Sequence, residues 1–376
     1  MKKKILEFIK QETVLIVACV LAVVSTFFVT PDKKYIEYID FRTLGILFSL
    51  MALMAGFQNM GVFEEISRKL LNKVKSIRQL VLTLTLLCFF FSMIITNDVA
   101  LITFVPFTFV LFDMLGQDAE KKWLVPATIL QTVAANLGSM LTPIGNPQNL
   151  YLYGKSGMAF GKFIFLILPY VLLSLILLLI SSFIIGTIDN KKISVNLTQN
   201  NKEKSTFKVI IYVILFCICI LSVLRVISVG VAFAVTLCAI IISDRKVLKK
   251  VDYSLLLTFV GFFIFIGNMG RMPVFSSLLQ EYIAGNEVII SVLASQCVSN
   301  VPTALLLSNF TSDIPALIIG TNLGGLGTLI ASMASLISYK FIAQKKNIAT
   351  GKYVLYFFVA NIIFLVVLML LYIIIK

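Results

Sequence analysis

Residues 80–112 read LVLTLTLLCFFFSMIITNDVALITFVPFTFVLF, an apolar run broken only at Thr96-Asn97-Asp98. As one helix, with a rise of about 1.5 Å per residue, the stretch would measure roughly 50 Å, against a hydrocarbon layer of about 30 Å. A polar triplet at that depth needs protein or water around it, because lipid offers no hydrogen bonds. The stretch therefore predicts a re-entrant hairpin that turns back at Thr96-Asn97-Asp98. Residues 286–310 repeat the pattern in shorter form and break at Ser299-Asn300-Val301-Pro302.

The rest of the chain fits a membrane setting. Its apolar fraction is 59% and its charged fraction 13%, against roughly a quarter charged in soluble domains. Clear spans are expected at 13–29, 43–62, 163–186, 207–226, 254–272 and 352–374, with a shorter one at 229–243. The long stretches 123–153 and 314–341 are interrupted by Gly, Pro, Asn and Thr, and read as spans broken in the middle. The predicted class is an all-α polytopic membrane protein of about nine spans plus two hairpins.

Basic residues orient it. With the N-terminus in the cytoplasm and both hairpins returning to their starting side, the cytoplasmic segments are 1–12, 63–79, 113–122, 187–208, 243–253 and 340–352. They hold 4, 5, 2, 5, 4 and 4 Lys and Arg residues, 24 of the chain's 32. This is a positive-inside bias, and it places the C-terminus outside. The net charge of +14 then reports orientation and anionic lipid headgroups, with no nucleic-acid partner.

Three short matches link the two halves in the same order. Asn59-Met60-Gly61 recurs as Asn268-Met269-Gly270, and Thr96-Asn97-Asp98 as Ser299-Asn300-Val301. Asn136-Leu137-Gly138 recurs as Asn322-Leu323-Gly324, running on to Thr142-Pro143-Ile144 against Thr328-Leu329-Ile330. Since the copies enter the membrane from opposite sides, the prediction is two inverted repeats, 1–186 and 208–376, joined by a cytoplasmic linker at 187–207. Inverted repeats with discontinuous helices are how secondary transporters build a midplane site.

The chemistry is expected at the breaks. Each hairpin tip frees N–H groups on one half-helix and carbonyls on the other, suited to anions and to cations respectively. Thr96, Asn97, Asp98, Ser299, Asn300 and Thr303 add side-chain oxygens; ordinary N-capping is the alternative. Asp98 is the one acid expected deep in an apolar region, where a carboxylate suggests a proton or cation site. Thr142-Pro143-Ile144-Gly145-Asn146-Pro147-Gln148-Asn149 and Gly324-Gly325-Leu326-Gly327-Thr328 interrupt the broken spans, and freed carbonyls there could ligate a hard cation. The glycine run could equally mark a close helix crossing. Arg225 and Arg271 are expected to snorkel at external helix ends.

These motifs resemble the ion transporter superfamily, in particular its ArsB/NhaD branch and the YbiR-like anion permeases. The resemblance runs over residues 40–374; the citrate and dicarboxylate carriers are more distant and have Ser-Asn-Thr tips. It implies an elevator-type carrier, often dimeric. By similarity, Thr96, Asn97 and the Gly138–Asn146 loop, including Gly145, would hold one cation. Ser299, Asn300 and the Gly327–Ala331 loop would hold another. Substrate would lie between the tips, near Asn97, Asp98, Thr142, Asn146, Asn300, Thr303 and Thr328, with Asp98 also a cation ligand. Asp98 and Val301 stand where dicarboxylate carriers have threonine, which leaves inorganic anions and metalloid oxyacids open.

Other classes fit less well. The chain has no histidine and no HExxH or GxSxG pattern, which argues against an enzyme. No cofactor is expected beyond a coupling Na⁺ or H⁺. Gly154-Lys155-Ser156 lacks the upstream glycine of a phosphate loop. Too few apolar residues precede Cys19 for a lipoprotein signal, and Asn196-Leu197-Thr198 would face the cytoplasm. The six cysteines lie in apolar stretches and imply no disulfides. The expectation is a secondary carrier for a small anion driven by Na⁺ or H⁺. Cation/proton exchange and metalloid efflux are the alternatives, ahead of a passive channel.

Overall fold

The computed structural model describes residues 12–187, 206–345 and 348–376; most of the expected 187–207 linker and of the N-terminal segment lies outside them. Among the described residues every regular element is a helix. Seven are long and apolar enough to cross a membrane: Phe41–Asn59, Ile77–Ile95, Asn97–Leu115, Phe160–Ile184, Thr206–Val223, Tyr253–Gly270 and Thr350–Ile375. Shorter apolar helices include Thr13–Thr26 and Val229–Ser243. Large apolar side chains such as Phe165, 75% exposed, and Ile374, 79% exposed, suit a lipid environment rather than water. This is a multi-pass membrane protein.

The first hairpin is two helices, Ile77–Ile95 and Asn97–Leu115, joined at Thr96. Its arms run side by side, because Gln131 on the neighbouring helix accepts the Thr108 hydroxyl at 2.9 Å and also contacts the Cys88 thiol. Each arm has 19 residues, about 28 Å, so each is deeper than a half-span. The apolar run was read from Leu80, but Ser76 caps the helix by accepting from the Gln79 N–H and adds a turn. The second hairpin, Glu287–Val298 and Asn300–Leu307, is shorter. Its base is closed by the Thr311 hydroxyl donating to Glu287 at 2.9 Å, so it returns to its starting side.

Each hairpin lies along a broken span. The first broken span consists of Gln117–Ser139 and Pro147–Ser156, the second of Ile314–Leu323 and Met333–Ala343. Pro147 begins its half-helix at N1, where its missing N–H costs nothing. Small residues allow the close approach: a Cβ on Gly138 would sit 2.0 Å from the Phe89 carbonyl oxygen, and one on Gly324 2.8 Å from the Ser295 Cβ.

A pair of longer helices faces this assembly. Phe41–Asn59 starts at Asp40, which caps Thr43 N–H at 3.0 Å, and Tyr253–Gly270 starts at Asp252, which caps Leu255 N–H at 2.9 Å. They run antiparallel, since the start of each shares a cleft with the end of the other. After each comes an amphipathic helix that the apolar pattern did not separate, Val62–Leu71 and Pro273–Ile283. In the first, Phe63, Ser67 and Leu71 are buried while Glu65 and Lys69 pair at 3.1 Å on the outer side.

Both arginines expected to snorkel are instead held by protein. Arg225 donates to the Gly157 and Tyr153 carbonyls at 2.9 and 3.1 Å, satisfying the end of the Pro147–Ser156 helix. Arg271 pairs with Asp32 at 2.9 Å. At the base of the first hairpin Lys345 reaches Asp113 at 2.5 Å and Glu120 at 2.8 Å. These two carboxylates hold its ammonium above the ordinary lysine range.

The hairpin geometry makes a topology prediction. In a cysteine-free background, cysteines at Lys73, Lys121 and Lys345 should react with an impermeant thiol reagent only from the cytoplasm. Cysteines at Lys33, Lys155 and Glu281 should react only from outside. Labelling of positions 73 and 121 from opposite faces would show that 80–112 crosses the membrane an odd number of times.

Candidate functional site

The two tips share one unusual backbone. Thr96 has φ 71° and ψ 151°, and Ser299 has φ 76° and ψ 155°. Non-glycine residues seldom adopt this region, and they keep it only where the surroundings enforce it. The enforcement is visible. The Asn97 N–H donates to the Gly145 carbonyl at 3.2 Å, and the Asn300 N–H donates to the Ala331 carbonyl at 3.0 Å. Neither Thr96 nor Ser299 caps its helix through its side chain, so simple N-capping does not account for them.

The loops of the broken spans close on the tips in matching ways. The Thr142 hydroxyl donates to the Met93 carbonyl at 2.5 Å, and the Thr328 hydroxyl to the Gln296 carbonyl at 3.2 Å. Thr142 and Thr328 are thus braces between loop and arm. Asn97 is buried; its amide donates to Asn136 Oδ1 at 3.1 Å while its own Oδ1 accepts the Asp98 N–H at 2.9 Å. Thr303 is fully buried and its hydroxyl is used on the Ser299 carbonyl. Gly327 has φ 113°, a conformation that favours glycine.

The broken spans are also bonded to each other. Asn136 Nδ2 donates to Ser335 Oγ at 3.4 Å, and Asn322 Nδ2 donates to Asn149 Oδ1 at 2.6 Å. With the Asn136-to-Asn322 offset, Asn149 corresponds to Ser335, so these contacts are one contact made twice with the halves exchanged. Ser332 adds a bond to Asn136 Oδ1 at 2.9 Å. In the sequence Asn136, Asn149 and Asn322 read as parts of backbone motifs, and Ser335 belongs to no motif.

Two clefts separate the helix pair from the hairpins, at opposite ends. One of about 160 Å³ is lined by Thr96, Asp98, Ile144, Pro147, Lys250 and Asp252, with apolar residues of Phe41–Asn59. It reaches the first tip, and Lys250 at its edge bonds Asn59. The other, about 400 Å³, is lined by Asp40, Arg42, Tyr151, Lys155, Gly267 and Asn309. It meets the base of the second hairpin, and Asn300 and Thr303 do not line it.

The tips differ in what is left unsatisfied. In the first half Asp98 Oδ1 and Asn146 Oδ1 are buried and accept no hydrogen bond, although Asn146 Nδ2 is fixed by Ser139 Oγ at 2.7 Å. Two free acceptors flanking the Asn97–Gly145 bond suit a proton or a hard cation, and a buried acceptor left empty is costly. In the second half Asn322 Oδ1 is free, but the carbonyls of Gly324 and Leu326 are taken by the side-chain amide of Gln296. Gln296 was not among the expected site residues. Its signal was available: it is the one amide in the Glu287–Val298 arm and stands three residues before the tip, where the first hairpin has Met93.

Residues 5–315 match the family model described as citrate transporter. The chain belongs to the citrate transporter family. Two relatives match over most of the chain. An uncharacterized transporter of Methanocaldococcus jannaschii is 31% identical over 88% of both chains. The inner membrane protein YbiR of Escherichia coli is 29% identical over 85% of both. A shorter likeness, 32% identity over 38% of this chain and 28% of the other, is to the silicon efflux transporter LSI3 of rice, Oryza sativa subsp. japonica. This family member is thus a membrane transporter of the citrate-transporter type.

Proposed function

We propose that the protein is a secondary active transporter that moves a small anion across the cytoplasmic membrane, coupled to Na⁺ or H⁺. The observation that carries this reading is the unpartnered, buried Asp98 Oδ1 on a residue that lines the first cleft, with a second unpartnered acceptor, Asn146 Oδ1, buried in the loop that closes on the same tip. A coupling ion there neutralises Asp98 before an anion binds beside it, since like charges in a low dielectric repel. Lys250 is the cation lining that cleft and would meet the anion on entry. With the basic segments inside, this cleft faces the cytoplasm. Alternating access then has the hairpins and broken spans move as a body against the Phe41–Asn59 and Tyr253–Gly270 pair, an elevator motion within two inverted repeats.

The test is counterflow of a labelled anion panel in proteoliposomes, with and without Na⁺ and a pH gradient. One anion should accumulate only when a cation gradient is present. Asn97→Ala should abolish that uptake in protein that still inserts, because it removes the bond to Asn136 and the ordering of the tip. Uptake that ignores both gradients would leave the coupling reading without support.

A second reading has one observation behind it. The first cleft carries two carboxylates, Asp98 and Asp252, against one lysine, which suits an uncharged, hydrogen-bonding oxyacid better than a multivalent anion. The partial likeness to a silicon efflux transporter points the same way. Proton-driven efflux of silicic or arsenious acid would then replace anion uptake, and adding these acids to the panel decides between the two.

A further inference from the structure

We propose that the side-chain amide of Gln296 takes the place of a cation at the second tip, so that this carrier couples to a single ion held at the first. The inference deepens the functional reading above and rests on it for the first tip alone. At the end of the Ile314–Leu323 half-helix the carbonyls lack helical partners and form its negative pole. Such carbonyl ends are where transporters of broken-helix design coordinate Na⁺.

Here that pole is already answered. The two hydrogens of Gln296 Nε2 are shared among three carbonyls, Leu326 at 2.9 Å, Gly324 at 3.1 Å and Val292 of its own helix at 3.1 Å, while its Oε1 accepts the Thr328 N–H at 2.9 Å. Donor and acceptor ends of the amide are both used, and the loop is fitted around it. A Cβ on Gly327 would stand 2.2 Å from Gln296 Oε1, so only glycine at 327 admits the amide. Two partly positive N–H hydrogens thus supply what an ion would, with no charge to carry across. Among the described residues of this loop, the buried side-chain oxygen left without a partner is Asn322 Oδ1. At the first tip Met93 occupies the equivalent place and has no hydrogen to donate. The tip carboxylate, Asp98, stands on that side, where the second tip has Val301.

The experiment counts sodium. Binding of ²²Na⁺ to the purified full-length protein in detergent is measured for wild type and for Gln296→Met, which copies the first hairpin. Thermal unfolding confirms that each variant is folded. The wild type should bind no more than one Na⁺ per chain, and whatever it binds should be lost in Asn97→Ala and kept in Asn300→Ala. Gln296→Met should bind one more than wild type, at the oxygens of Gly324, Leu326 and Asn322, and Asn300→Ala in that background should remove the gain. Two Na⁺ per wild-type chain, a folded Gln296→Met with no gain, or sodium lost in Asn300→Ala but kept in Asn97→Ala would each overturn the proposal. If the carrier is proton-coupled, wild type binds no Na⁺ and Gln296→Met still gains one, which separates failure of the sodium reading from failure of this inference. Should Gln296→Met not fold, Gln296→Ala and the wild-type count with the two asparagine variants decide the matter.

Discussion

Asp98→Asn is expected to keep substrate exchange and lose accumulation. Asparagine has nearly the size of aspartate and imitates its protonated state, so the tip geometry, including the Asp98 N–H bond to Asn97, should survive. What disappears is the charge that an arriving proton or cation neutralises. In energetic terms the carrier loses the differential affinity by which one ligand's binding conditions the other's, and with it the coupling free energy. Labelled-substrate exchange at equal concentrations should continue near the wild-type rate. Uptake driven by the coupling gradient should stop at the equilibrium level. Wild-type accumulation by this variant would remove Asp98 from the coupling step and shift it to the neutral oxygens of Asn146 and the loop.

Gly138→Ala should be strongly damaging for the addition of a single methyl group. Its Cβ would fall 2.0 Å from the Phe89 carbonyl oxygen and 2.7 Å from Ser92 Oγ, and a helix backbone cannot step aside as a flexible side chain can. Overpacking of a tight contact costs about 1–3 kcal/mol and sometimes more. Because the obstruction is between the broken span and the hairpin arm, the tip would lift from its loop, and transport should fall with stability. Gly161→Ala is the control, since nothing lies within 4 Å of its Cβ, and a helical Gly→Ala change should be neutral or stabilising by up to about 1 kcal/mol. Equal unfolding temperatures in detergent for Gly138→Ala and wild type would show that the contact is looser than the structure has it.

Much of the architecture was legible in the sequence because the bilayer restricts it so strongly. An apolar run of roughly 50 Å with a polar centre has to fold back, and two prolines within five residues, Pro143 and Pro147, break a span. These arguments need no partner. The amphipathic helices Val62–Leu71 and Pro273–Ile283 are too short and too polar to stand out by apolar length, and the basic residues of the first read as loop. Arg225 and Arg271 read from the sequence as arginines that snorkel at helix ends, whereas in the fold each is held by protein. Nothing in the local sequence reveals the Tyr153 and Gly157 carbonyls or Asp32. The tips themselves, Thr96-Asn97 and Ser299-Asn300, were found from their composition and recurrence. What recurrence concealed was difference: the same turn and the same brace are built twice, yet Met93 and Gln296 fill one position with opposite chemistry. That contrast depends on where a side chain points, which only the fold decides.

The bonds between the two broken spans bear on how the protein is made. Asn136 and Asn149 find partners in Ser332, Ser335 and Asn322, which follow them in the chain by 196, 199 and 173 residues. A ribosome adding about 5–20 residues per second delivers the first hairpin and its broken span to the membrane many seconds before those partners exist. In that interval Asn97 can already serve Asn136 Oδ1, and the Met140 and Thr142 carbonyls Asn149 Nδ2, but Asn136 Nδ2 and Asn149 Oδ1 must turn to water or the insertion machinery, since lipid satisfies neither. The first half is therefore an unfinished object until the last quarter of the chain arrives, and a chain cut short before Ile314 should be recognised and degraded, however well its own helices insert.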